Sequence, residues 1–488
     1  MHFDRRQLLR TSGAGLVLGS VAIARQLWAA PVGVPTNLMD RLPREEWRLI
    51  EAGLSRYDAA PAFQNMIDNG LAVRLPESGS VLFRRTITLR SGSNIIGSGP
   101  ATLRQATQGA SLFAADRAVD IVLDLNQVRL VGPGGWLADW HGNQGREGYR
   151  GVSLRGCIGP QILGGEIVNW ANAGIGIVGG RAFAIVGTLV RGTHTASTPL
   201  PWQANYQNGI YVANDPVFGS AEGGRVAQCS ITGVGQGLLR ENLPGAPNPA
   251  ALTTISDLHG YDIPGQHLLY NQDGNLLVER LRGERIGLSL FKTQSADAGT
   301  VLMNIVCHDA VGHELGNALF EIATLGDGFI RGVSLQGSAS DTGYLAAFNG
   351  PMAQIECSVS GSAIRGNAIY CQGRSQTALK IQVDAKGVGQ DGVVITSTGS
   401  TIDLTAKIDS VNTSGTLRNS DGKAAGTGIL IAEGNARKKD MRATRVRLIN
   451  PSVRSVNQKM GWAIRTTRPQ SSIEIVGKPT IVGAVSPE

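Results

Sequence analysis

The sequence predicts an all-β chain: a single-stranded right-handed parallel β-helix of about 11–13 coils with a short helical cap on its N-terminal side. Three observations predict it. First, a phrase recurs between Leu276 and Leu404; from Leu277, Leu302, Ile330, Ile355, Leu379 and Ile402 the steps are 25, 28, 25, 24 and 23 residues. Second, each copy holds two short alternating apolar runs, such as Leu379-Lys380-Ile381-Gln382-Val383 and Gly392-Val393-Val394-Ile395, which is the period of a strand and not of a helix. Third, 65 of 488 residues are Gly while Phe, Trp and Tyr together make only 5%, a composition of many tight turns around a thin aliphatic core. No single coil can bury its own apolar face, so the coils must stack.

The elements follow in order. Asp4-Arg5-Arg6-Gln7-Leu8-Leu9-Arg10 precedes a short, mildly apolar run from Thr11 to Ala24. The run is shorter than the roughly 20 residues of a membrane span, so residues 1–30 read as an export signal. The adjacent arginines resemble the twin-arginine signal, which would make the translocon of that pathway a partner and the periplasm or the exterior the destination. Cutting after Ala30 leaves 41 Lys+Arg and 37 Asp+Glu. Residues 31–72 read as a linker and helical cap, with helices over Arg44 to Ala52 and Asp58 to Asn69, the second N-capped by Asp58 and stopped by Gly70. Such a cap would cover the open end of the first coil. The β-helix is expected over 73–488.

Leu75-Pro76-Glu77-Ser78-Gly79 and Ile96-Gly97-Ser98-Gly99, following a helix and bracketing a strand, resemble the amino end of pectin-lyase-like right-handed parallel β-helix proteins. With the export signal, the resemblance extends to the twin-arginine-exported repeat type encoded with exopolysaccharide (colanic-acid-like) biosynthesis. It implies an extended groove for a polysaccharide chain.

Coils continue through Ile121–Leu125, Val152–Leu154, Ile162-Leu163 and Gly209–Val212, but long loops at 132–275 interrupt them. Loops on a rigid scaffold are where sites concentrate. Trp140, His141, Trp202, Tyr206 and Tyr211 stand in or beside these inserts, and flat aromatic faces suit sugar rings; equally, the tryptophans could pin the loops to the coil. Successive coils lie about 4.8 Å apart, so residues after each second run should form columns. Aligning the small residue before each run places Arg240-Glu241, Tyr270-Asn271-Gln272-Asp273, Lys292 and Glu321 on one stretch of surface, with His259 and His267 just ahead. Glu241, Asp273 and Lys292 are the catalytic candidates. Trp140, His141, Trp202, Tyr206, Tyr211, Arg240, His259, His267, Tyr270, Asn271 and Glu321 are the binding candidates. Carboxylates about 5 or 10 Å apart bracket the needs of retaining and inverting glycosidases; a lyase would instead use a cation and a proton acceptor beside a uronate carboxylate. A ladder of Asn and charged residues that satisfies the backbone is the structural alternative.

Five cysteines, Cys157, Cys229, Cys307, Cys357 and Cys371, lack any paired spacing and read as small buried hydrophobes. His308-Asp309 and His313-Glu314 lack a zinc spacing. No cofactor or metal is expected; calcium would enter only with lyase chemistry, and the clustered aspartates of pectate lyases have no match here. The Asp-Asp and Gly-His-Gly motifs of polygalacturonases are missing as well. No phosphate loop is present, and neither a nucleic-acid partner nor a stable membrane span is expected. A basic run, Arg437 to Arg447, reads as a solvated terminal segment or an anion-binding patch. The expected function is an exported carbohydrate-active protein that cleaves or remodels an acidic bacterial polysaccharide, as lyase or glycoside hydrolase; the alternative is a non-catalytic polysaccharide-binding or exopolysaccharide assembly protein, and a third class is an adhesin or structural coil.

Overall fold

The computed structural model describes residues 34–135, 149–193, 207–295, 300–418, 425–432, 442–454, 459–467 and 471–482. The chain is a parallel β-helix. Strands of successive coils pair in parallel throughout, as Leu277 with Val306, Val306 with Ser334, Ser334 with Glu356 and Glu356 with Lys380. Each coil lays strand on three faces. In one coil, Thr253–Ile263 runs along the first face, turns at Asp257, runs along the second face, and is followed on the third by Leu269–Asn271.

Strand periodicity of two decides what is inside. On the third face, Leu238, Leu269, Phe291, Phe320 and Ala346 stack in register and are buried; the Phe291 and Phe320 rings meet edge to face at 6.2 Å. The next residue of each strand, Leu239, Tyr270, Lys292, Glu321 and Ala347, forms the outward column. All five cysteines are buried in the core and unbonded.

Left-handed residues mark the bends, because an outward kink of one residue reverses the pleat. Gln228, Asp257, Arg280 and Asp309 have φ between 53° and 56° at the bend between first and second faces. The column stops there. Cys307 pairs with Leu335 but Ala310 pairs with Gly337, so the coil loses a residue. The strands Phe329–Asn349, Met352–Ile364 and Gln376–Val388 then pass through the bend with no left-handed residue at Gln336, Ser358 or Gln382. This loss is one residue of the shortening of the sequence period after its 28-residue step; another falls between Leu315 and Ala318.

Helices Arg44–Glu51 and Ala60–Asp68 sit at the N-terminal end. Phe63, Met66 and Ile67 of the second are buried, and the Phe63 ring lies 5.7 Å from Phe83 and 5.9 Å from Phe113. Asp58 accepts from the Ala60 and Arg84 backbone N–H groups, at 3.1 and 3.0 Å, and so ties helix to coil. One difference from expectation lies here: Thr36–Asn37 pairs in parallel with Val73–Arg74, so a strand of the stack precedes both helices.

Candidate functional site

The described part of the third face has a covered stretch and an open one. On its outer side Ala173, Val178, Tyr211, Ala213 and Leu239 form a second apolar cluster, with Phe218, Leu243 and Tyr270 packed on it. Asp215 accepts from the Val217 and Phe218 N–H groups at 2.7 and 3.0 Å, a turn that holds the Phe218 ring under Arg155, 4.8 Å away. Within this cover the Arg150 guanidinium lies 4.9 Å from the Tyr211 ring centroid, and the Tyr211 hydroxyl donates to Glu241 at 2.7 Å. Arg150 reaches there across Gly176; a Cβ on Gly176 would stand 2.6 Å from its Cδ. Burial pushes the Glu241 carboxyl above its usual range, against the pull of Tyr211 and Arg150. Burial also raises the Tyr211 phenol well above its usual range, with Glu241 adding to it. Glu241 therefore anchors Tyr211 beneath the cover.

The open stretch begins at Tyr270. Lys292 and Glu321, neighbours in the outward column, pair at 3.0 Å with side chains 18% and 20% exposed. The Lys292 ammonium stands 5.4 Å from the Tyr270 ring centroid. Glu321 accepts on its other oxygen from Ser289 Oγ at 2.7 Å and Asn317 Nδ2 at 2.9 Å. The Tyr270 hydroxyl accepts from Gln272 Nε2 at 2.8 Å and donates to Gln294 Oε1 at 3.2 Å. His267 is buried beneath, its ring 5.4 Å from that of Tyr270. Its Nδ1 accepts from the Ser289 N–H at 3.1 Å, which leaves the proton on Nε2. Burial, with Lys292 adding, pushes the imidazole down to about 3, so it is neutral at pH 7. Burial pushes the Glu321 carboxyl up, but Lys292 and the Ser289 hydroxyl outweigh it and hold the carboxyl below the usual range.

The structure corrects the expected column in one respect. Arg240, Asn271 and Asp273 do not share its surface; they point into the coil, with Arg240 and Asp273 side chains 2% and 4% exposed. Arg240 donates to Asn271 Oδ1 at 2.9 Å and to Asp273 Oδ2 at 3.1 Å. Asn271 Nδ2 donates to Thr293 Oγ1 and to the Asp273 carbonyl, at 3.1 and 2.6 Å, and Asn214 Nδ2 donates to Asp273 Oδ2 at 2.9 Å. This is the ladder alternative, realised for these three residues. Glu241 and Asp273 are thus not neighbours: Glu241 faces out, Asp273 in. The reason is the two-residue pleat, in which adjacent residues take opposite faces.

His259 stands elsewhere, on the second face between Ser230 and Arg282, its ring 5.8 Å from Tyr261. Asp257 and Asp262 are taken by Arg280 and Arg285 of the next coil, each pair at 2.6 Å. Trp140, His141, Trp202 and Tyr206 lie outside the described residues, as do Arg437, Lys438 and Lys439. Among the described residues no group of three or more His, Cys, Asp or Glu is arranged to hold a metal. Sequence reasoning missed Ser289, Asn317 and Gln294, polar residues that orient Glu321 and Tyr270; Gln272, placed on the column from the sequence, is the other residue that holds the Tyr270 hydroxyl. The same reasoning missed Tyr370, two levels beyond Glu321 in the outward column, whose ring lies 6.1 Å from Tyr344. An aromatic at the outward position of the second run was the available signal.

No family model matches the chain, and no curated protein sequence does. Solved structures are similar to it at low identity. The tailspike protein of E. coli bacteriophage HK620 in complex with pentasaccharide aligns with 92% of this chain and 78% of its own, at 10% identity and a TM-score of 0.48. The catalytic unit of the thermostable GH87 alpha-1,3-glucanase from Streptomyces thermodiastaticus aligns with 94% and 71%, at 11% and 0.42. The pre-mature bacteriophage phi29 gene product 12 aligns with 92% of this chain at 13% and 0.41, and this chain spans 56% of that protein's length.

Proposed function

We propose that this chain is an exported β-helix protein that acts on an acidic polysaccharide at the open stretch of its third face. The carrying observation is the cluster of His267, Tyr270, Lys292 and Glu321, where a cation, a phenol and a fixed carboxylate meet beside the edge of a covered surface. Lys292 is the group that meets a uronate carboxylate; Tyr270, acting as the phenolate, takes the proton alpha to it, the C–O bond at the beta carbon breaks to leave the unsaturated uronate, and the phenol returns the proton to the departing glycosidic oxygen, while Glu321 holds Lys292 in place. The Tyr344 and Tyr370 rings continue the same face as a stacking surface for further sugars. Export by the twin-arginine route is part of this proposal; among the described residues no helix is long and apolar enough to cross a membrane.

Elimination is favoured over two-carboxylate hydrolysis. Glu241 and Glu321 stand three strand levels apart, roughly 14 Å at the usual strand spacing, which exceeds the roughly 5–9.5 Å that glycosidases use. A second reading, binding without turnover, is favoured by one observation: Lys292 is already paired, and both Glu321 oxygens accept hydrogen bonds or an ion pair.

Purified protein should be incubated with alginate, polygalacturonate and neutral glucans, following the ultraviolet absorbance of unsaturated uronate and the release of reducing ends. Elimination predicts absorbance with an acidic polymer and a fall of roughly 10²–10⁴-fold in Tyr270→Phe at unchanged melting temperature. Binding of the acidic polymer with no product, weakened in Lys292→Ala, would establish the second reading. Indifference to every acidic polymer would overturn both.

A further inference from the structure

A groove of about 670 Å³ runs along the helix axis far from the third-face cluster. It lies at the bend between the first and second faces, and it opens where the left-handed bend residues end at Asp309. Its two walls are columns in register: Gln336, Ser358, Gln382 and Thr405 on one side, Ser338, Ser360, Asp384 and Lys407 on the other. Between them Val359, Val383 and Ala406 form the floor, buried on the core side. The groove crosses from the level of Asp309 to that of Ser452, roughly 24 Å at the usual strand spacing.

We propose that this groove is a second carbohydrate site, which takes one extended chain of an uncharged polysaccharide laid along the axis. Shape and chemistry both argue for it. The groove is narrow, straight and many levels long, so it fits a linear polymer better than a compact small molecule. A hydroxyl or carboxamide stands at each of these four levels of the first wall, and Ser338, Ser360, Asp384 and Lys407 put a polar group at each level of the second, which suits a ligand that offers hydroxyls at every unit. The lining charges are two carboxylates and one ammonium. Asp309 is held by Arg282 at 2.8 Å and Lys407 by Asp384 at 2.9 Å. Both carboxylates are thus neutralised and no cation of the lining is left to meet a uronate, so the groove offers no net charge to draw a polyanion. The lining holds no aromatic side chain, and Val311 is its one exposed large apolar group, which is little to anchor a protein segment. The physical origin is the residue lost at Asp309: without the outward kink, the straightened strands leave a channel at the bend instead of a ridge.

The site is independent of the cluster at Lys292. The full chain should be run by affinity electrophoresis through gels containing hydroxyethylcellulose, laminarin, glucomannan or, as the acidic probe, alginate. Retardation by at least one neutral polymer is expected. Ser360→Trp, which fills the groove, should weaken it at least tenfold, and the milder Gln382→Ala should weaken it measurably with no loss of melting temperature. Lys292→Ala should leave it unchanged. If no neutral polymer retards the protein, the proposal is overturned. It is equally overturned if the groove variants bind as wild type does, or if Lys292→Ala abolishes neutral binding. None of these results bears on turnover or binding of the acidic polymer at Lys292.

Discussion

Arg240→Ala is expected to destabilise the fold by about 3–5 kcal/mol, because it strands a buried carboxylate. Arg240 is among the largest fully buried side chains of the described residues, and its guanidinium serves Asn271 and Asp273 together. Burial pushes Asp273 up and Arg240 down, each toward its neutral form, in spite of their mutual attraction. Desolvation therefore exceeds the attraction, and the ladder places its members more than it stabilises them. That gives the control its sign. Arg240→Met with Asp273→Leu removes both charges and should recover most of the loss, whereas either single change should not. Urea unfolding of the four proteins decides this; a single variant as stable as wild type would remove the ladder reading. One more variant, Asp273→Asn, tests whether Asp273 is a catalyst. The ladder predicts that Asp273→Asn lowers stability and leaves turnover or binding per folded molecule unchanged. A catalytic role predicts the opposite.

Acid should lower the stability of the fold through the buried His267. His267 stays neutral in the folded chain down to about pH 3, while in the unfolded chain it takes up a proton near its ordinary 6.5. Above pH 6.5 both states are neutral and it contributes no slope. Below that, the unfolded state binds the extra proton, so stability falls by roughly 1 kcal/mol per pH unit, and the slope ends as the folded pKa is reached. Glu321, which Lys292 and Ser289 hold below its usual range against burial, adds the same sign at lower pH: its stabilisation is present above the unfolded pKa and is lost as pH falls through the folded one. Glu241, raised by burial, runs the other way, since the folded state takes its proton first. The difference between wild type and His267→Gln isolates the histidine. Unfolding free energies at a series of pH values from 7.5 to 4.5 should show a steeper decline in wild type. Equal slopes would mean that His267 is not held neutral.

Much of this architecture was legible from period alone. The strands at Leu276–Ile286, Gln376–Val388 and Thr401–Asp409 fall on runs that the sequence marks, and the helices at Arg44–Glu51 and Ala60–Asp68 fall on breaker-bounded segments, the second starting from Ala59 and not from the expected cap Asp58. Lys292, Tyr270 and Glu321 were legible for the same reason: each follows one buried aromatic or aliphatic residue in its run. Ser289 and Asn317 were not, because a serine or asparagine at a turn carries no signal until its partner is known. The groove left its trace only as a shortened repeat, and a shortened repeat says nothing by itself about concavity.

The sequence alone determined that the chain winds into stacked parallel coils, since a repeated apolar alternation can be buried in no other way. The tertiary structure decided which side each polar residue takes. Arg240 and Glu241 are adjacent and read alike, yet one enters the core and the other leaves it. A pleat with a period of two makes every such assignment depend on register. Register here is set by single left-handed residues and by the one-residue shifts at Cys307/Ala310 and Leu315/Ala318, features of backbone conformation that residue types only weakly announce.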